Sequence, residues 1–122
     1  MSAPLRSVIP WDDVDIVMVD MDGTLLDLAF DNFFWQELVP ACYARHRNLP
    51  EEEARRELLG RYRALEGQLE WYCIDHWSEV LGLDIRALKW EHRHRVQYLP
   101  GAIEFLEAVR RRGKRLLLVT NA

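Results

Sequence analysis

Residues 19–27 read "VDMDGTLLD": two acids one residue apart, followed at once by a glycine and a hydroxyl. If the backbone stays extended through Asp20 and Asp22, this spacing puts both carboxylates on the same side. Paired carboxylates repel unless something positive lies between them, most simply a hard cation such as Mg²⁺. Gly23 lets the backbone come close to a ligand, and Thr24 adds a hydroxyl. Such a group suits phosphoryl transfer. One carboxylate attacks phosphorus, the other moves the leaving-group proton, and the cation neutralises the oxygens. The bland reading is a solvated turn with Asx hydrogen bonds. A calcium-loop reading fails: with Gly23 as the sixth residue, Met18 stands first and Ala29 last, where acids are required.

Such residues need a scaffold, and the flanking sequence supplies one. "DIVMV" at 15–19 is a short apolar run rich in β-branched residues, the pattern of a strand buried on both faces. "RLLLVTNA" at 115–122 is a second such run. Before it, "LPGAIEFLEAVRRRGK" predicts a helix opened by Pro100-Gly101 and stopped by Gly113, with Ala102, Phe105, Leu106 and Val109 at helical spacing. Cations in its last turn, Arg110 to Arg112, complement the helix dipole and need no phosphate or nucleic-acid partner. Ligands of open parallel sheets collect at the carboxyl ends of strands, where Asp20 and Asp22 stand.

Between the strands, roughly residues 30–97 read as helical. Phe34, Leu38 and Ala41 mark one stripe. Pro50 and Glu51–Glu53 open a second helix, whose face carries Ala54, Leu58, Tyr62 and Leu65. Leu69, Cys73, Trp77 and Val80 make a third stripe, and Asp84 caps a fourth helix bearing Ile85 and Leu88. "WYCIDHW" at 71–77 offers aromatic faces to a purine, although Trp77 at helical spacing with Leu69 and Val80 reads as core. "HRHR" at 92–95 lacks a nearby third ligand and reads as the polar end of a helix.

The 122 residues are enough for one domain. Sixteen Lys plus Arg against 20 Asp plus Glu give a net charge of −4, without the concentrated basic face that nucleic-acid backbones require. No positive region followed by a long apolar core opens the chain, and no run approaches the roughly 20 apolar residues of a membrane helix. Cys42 and Cys73 share no metal-type spacing and read as reduced core or near-core thiols. These features predict a cytoplasmic protein with no nucleic-acid or membrane partner. They leave its oligomeric state open.

"DMDGTLLD" after "IVMV" resembles the first signature motif of the haloacid dehalogenase (HAD) superfamily, a strand followed by DxDGT. "LLLVTNA" at 116–122 is similar to its second motif, a strand ending in Ser or Thr, with Thr120 in that role. The helical stretch between them looks like the family's inserted cap, so the resemblance covers essentially the whole chain. It implies an α/β fold: the N-terminal part of a HAD-like Rossmannoid parallel sheet, residues 1–29 and 98–122, with a helical cap inserted at 30–97. "DMDGTLLDLAFDNFFWQELVP" and "LEWYCIDHWSEVLGLDI" resemble the bacterial GMP/IMP nucleotidase branch, which dephosphorylates purine nucleoside monophosphates.

By this resemblance Asp20 is the nucleophile, forming an aspartyl-phosphate, and Asp22 is the proton donor and later the base. The Asp20 side chain and the Asp22 carbonyl would hold Mg²⁺, while Gly23, Thr120 and the Asn121 N–H would bind phosphate. The family's third motif, a Lys, and its fourth, an acidic pair, belong after the second strand. Lys89 and Lys114, the only lysines, precede it. The chain to Ala122 is thus expected to be an N-terminal fragment, a poor catalyst alone, with "IVMV" and "LLLV" partly wet. Two alternatives stand beside the purine nucleotidase: a phosphatase for sugar phosphates or other small phosphomonoesters, and a non-catalytic binding fragment. Dehalogenation fits less well, because halide loss has no use for the Asp22 proton.

Overall fold

The two apolar runs become a pair of parallel strands, β1 (Ile16–Val19) and β2 (Arg115–Leu118), with Val19 opposite Leu118. The structure is a computed structural model that describes residues 8–122. Residues 1–7 of the expected core, and of the stretch read as lacking a secretory signal, lie outside the described residues. Pairing closes with the Val119 N–H donating to the Val19 carbonyl at 2.8 Å. The second run is therefore strand only through Leu118, and Thr120 lies on the loop just past the sheet.

As the sequence implies, two strands cannot cover both faces of their own sheet. Every residue of β2 is exposed, and Met18 of β1 is 69% accessible. Val19 is buried, as are Ala102 and Val109 on the helix that precedes β2.

Six α-helices fill the described chain: α1 (Ala29–Phe33), α2 (Val39–Arg47), α3 (Glu51–Leu65), α4 (Ile74–Leu81), α5 (Ile85–Glu91) and α6 (Ala102–Arg111). A π-helical turn, Phe34–Leu38, joins α1 to α2 without a break. Its wider winding re-phases the helix, so the buried face carries Phe34, Val39, Pro40, Tyr43 and Ala44. Leu38 and Ala41, expected on that stripe, are only half-buried. The third stripe also shifts. Leu69 is 86% exposed in a short 3-10 turn, and Cys73, expected in or near the core, is exposed because it caps α4, its Sγ accepting from the His76 N–H at 3.4 Å. The helix begins at Ile74 and buries Trp77 and Leu81 instead. Ala54 and Leu58 of α3 are buried as expected, and Asp84 caps α5 by accepting from the Ala87 N–H at 3.0 Å.

One continuous core lies inside the helical segment: Phe34, Val39, Tyr43, Ala44, Ala54, Leu58, Trp77, Leu81 and Ile85. Its aromatic rings meet edge to face, Trp35 with Tyr62 at 5.8 Å and Tyr62 with Trp77 at 5.1 Å, the arrangement their quadrupoles favour. Their polar ends are satisfied within the segment. Tyr62 Oη donates to the Trp35 carbonyl at 3.0 Å and Trp77 Nε1 to the Trp71 carbonyl at 2.9 Å. Burial holds the Tyr62 hydroxyl protonated well above the usual range of a phenol.

The helical segment enters and leaves the strand region side by side. The Asp27 N–H donates to the Gln97 carbonyl and the Leu99 N–H to the Leu25 carbonyl, both at 2.8 Å.

Candidate active site

The loop after β1 is built around one carbonyl. Met21 O accepts from the N–H groups of Thr24 (3.3 Å), Leu25 (2.9 Å) and Leu26 (2.9 Å). The Gly23 N–H returns to the Leu26 carbonyl at 2.9 Å, with Gly23 at φ +74°. That backbone conformation disfavours any residue with a Cβ, and a Cβ here would stand 3.3 Å from Leu28 Cδ1. The glycine is thus required by the turn that aims Asp20 and Asp22.

Asp20 projects from the end of β1 into solvent, its Oδ1 accepting from the Met21 N–H at 2.7 Å. Across the sheet, the Thr120 side chain is the larger of two influences holding the Asp20 carboxyl below the usual carboxylate range, the Met21 N–H being the other. The Thr120 oxygen also accepts from the Ala122 N–H at 3.1 Å, which closes the loop after β2. Two stretches a hundred residues apart in sequence (Asp20 and Thr120) therefore converge where the strands end.

Asp22 is displaced in the opposite direction. Partial desolvation is the main cause raising its carboxyl above the usual range, followed by the negative charge of Asp31. Lys89 offsets part of this, and Asp20 adds a smaller push upward. Neighbouring carboxylates with affinities driven apart are the arrangement in which one serves as an anion and the other as an acid.

Beside Asp22 opens a cavity of about 1270 Å³, walled by Met21, Asp22, Asn121 and Ala122 on the strand side and by the helical segment on the other. Asp31, Trp35, Trp71, Tyr72, Lys89 and Trp90 are among the residues of the helical wall. Asn121 reaches this cavity, whereas Asp20, Gly23 and Thr120 sit outside its lining. Trp71 and Tyr72 line it too, and Trp77, though it meets the cavity edge, is 2% exposed and belongs to the core. Near "HRHR", Arg93 lies 4.3 Å over the Trp90 ring and Arg95 4.0 Å over Phe33.

Two residues passed over by sequence reading stand in this wall. Asp31 of α1 and Lys89 of α5 form an ion pair at 3.4 Å across a sequence gap of 58 residues, and both reach Asp22 electrostatically. Motif order rules out Lys89 as the family's third-motif lysine but does not predict where α5 places it. No local signal marks either residue.

Among the described residues no three His, Cys, Asp or Glu side chains cluster as a metal site. Magnesium does not need three. It commonly takes one or two carboxylates and keeps waters or substrate oxygens for the rest. The Asp20 carboxylate and the Asp22 carbonyl are hard oxygen donors of that kind, so the residues fit the ion.

A parallel α/β sheet with paired aspartates and a threonine at its carboxyl edge, and helices inserted between the strands, defines a hydrolase class. Residues 17–122 match the family described as haloacid dehalogenase-like hydrolase, and the chain belongs to that family. Over 114 residues it is 48% identical to the protein named GMP/IMP nucleotidase YrfG in Escherichia coli (strain K12), and equally to that of Shigella flexneri. The alignment covers 93% of this chain and 51% of either relative, so the chain spans about half the length of the curated relatives it matches. A HAD phosphatase from Thermococcus onnurineus has the same fold, with a TM-score of 0.75 and 23% identity over 89% of this chain and 51% of that one.

Proposed function

We propose that this chain carries the nucleophile half of a Mg²⁺-dependent phosphomonoester hydrolase acting on purine nucleoside 5′-monophosphates. The observation that carries this reading is the parallel register of β1 and β2, which brings Asp20 and Thr120 to the same edge of the sheet beside Asp22. Similarity to proteins named GMP/IMP nucleotidase supports the substrate class, as does an aromatic-walled cavity of about 1270 Å³, ample for a nucleotide. In this reading residues 30–97 act as a cap over a partial core formed by 1–29 and 98–122.

Asp20, kept ionised by Thr120 and the Met21 N–H, attacks phosphorus as the bond to the nucleoside oxygen breaks. Asp22, inclined to hold its proton, delivers it to the departing oxygen. It then takes a proton from the water that attacks the aspartyl-phosphate, freeing Asp20 and phosphate. Thr120 and the Asn121 N–H steady the transferring oxygens, and Gly23 leaves room for their approach. Mg²⁺, held by the Asp20 carboxylate and the Asp22 carbonyl, would supply positive charge against the phosphoryl oxygens. The work is assigned to the cytoplasm; no described helix is long and apolar enough to cross a membrane.

Phosphate release from GMP and IMP by the full-length protein tests the proposal, with a sugar phosphate in parallel. Turnover should require added Mg²⁺ and vanish in Asp20→Asn. Unaltered turnover in that variant would end the proposal; sugar-phosphate preference would move the substrate class and leave the chemistry.

A further inference from the structure

We infer that Asp31 and Lys89 together read the base, presenting an acceptor and a donor side by side to the N1–H and O6 edge shared by guanine and hypoxanthine. This rests on the purine-nucleotide reading above. The pair lines the cavity that Asp22 opens into. Its side chains are 30% and 37% exposed, close to those of the Arg61–Glu57 pair at 40% and 37% and well below those of Arg86 and Asp75 at 72% and 81%. The ammonium is further held over two ring faces, 5.1 Å from the Phe34 centroid and 5.5 Å from that of Trp35. The charges are therefore pre-oriented and partly dry, yet they open onto a space where a ligand fits.

Their mutual contact does not exhaust them. An ammonium has three N–H donors and a carboxylate about four lone-pair positions, and the 3.4 Å bond uses one of each. A 6-oxopurine matches what remains, because the ammonium donates to O6 and the carboxylate accepts from N1–H. Guanine's 2-amino group adds a donor beside N1–H, which the same carboxylate accommodates, so both bases fit. Adenine inverts the edge, with a donor at position 6 and an acceptor at N1. Lysine cannot accept and an ionised carboxylate cannot donate, so adenine is mismatched at both points.

The test uses full-length protein carrying Asp20→Asn, which traps unreacted ligand, and calorimetric binding of GMP, IMP, AMP and ribose 5-phosphate. The parent should prefer GMP and IMP over AMP. Adding Lys89→Met or Asp31→Asn should each cut that preference roughly ten- to a hundredfold and leave ribose 5-phosphate binding unchanged. Lys89→Arg, which keeps the donor, should retain most of it. A parallel loss of ribose 5-phosphate binding would place Lys89 on the phosphate and overturn the inference. So would an undiminished preference in Asp31→Asn, the variant that keeps side-chain shape and serves if Lys89→Met melts early. A parent that binds ribose 5-phosphate but shows no purine preference would instead fail the nucleotide reading itself.

Discussion

Thr120 stands beside Asp20 at the end of the sheet and lowers the proton affinity of its carboxylate, while the Thr120 oxygen accepts from the Ala122 N–H at 3.1 Å. The Ala122 contact orients the hydroxyl. The parallel register that sets Val19 against Leu118 brings the two residues within reach. A one-residue slip would turn the side chains of one strand to the other face and break the contact.

Removing the hydroxyl should be visible as a titration. In metal-free protein, Asp20 should protonate at lower pH than Asp22, and Thr120→Val should move the Asp20 midpoint upward toward the ordinary range. An affinity lowered on folding stabilises the protein above the ordinary carboxylate value, and that benefit is lost as pH falls through the folded midpoint. Carboxyl-carbon NMR resolves the two groups. An unmoved Asp20 midpoint would show that the hydroxyl does not govern this charge.

Asp22→Asn keeps the size of the side chain and removes the transferable proton. Turnover of a nucleotide by the full-length protein should fall about 10²–10⁴-fold, the usual worth of a positioned acid or base. Substrates with very acidic leaving groups, which need no proton, should lose much less. Equal losses on both kinds of substrate would assign Asp22 to binding alone.

Gly23→Ala forces a Cβ into a left-handed conformation and to 3.3 Å from Leu28 Cδ1. The conformational part alone should cost about 1–2 kcal/mol, read as a lowered denaturation midpoint. Stability equal to the native protein would mean that the loop adopts another turn. The control is Gly60→Ala, where the added methyl meets nothing within 4 Å and α3 should gain stability.

Two tryptophans a short distance apart in sequence should behave differently. Trp77, 2% exposed and ringed by Trp35 and Tyr62, should cost about 3–5 kcal/mol of stability when changed to Ala. Trp71, half-buried at the cavity wall, should affect nucleotide binding more than the melting temperature. Denaturant melts and nucleotide titration separate the two, and a reversal of roles would contradict the core described above.

Much of this molecule is written locally. The apolar run at 15–19, the acids after it, and Gly101 and Gly113 around α6 are short-range patterns whose physics acts over a few residues, so strands, helix and site loop could be read directly. The same holds for the face of α3 and the Asp84 cap. Boundaries set by neighbours were less legible. The π turn at Phe34–Leu38 shifts the phase of the face that follows it, and the start of α4 at Ile74 leaves Leu69 in water. Asp31 and Lys89 lie furthest from sequence reading. An ion pair spanning 58 residues exists only because α1 and α5 pack into one helical unit, and no spacing rule along a single helix can express that distance. Sequence alone determined which groups could perform the chemistry. Tertiary packing decided which carboxylate is lowered and which is raised in proton affinity, and which charges face the cavity, because desolvation and Coulomb interactions depend on separation in space and not along the chain.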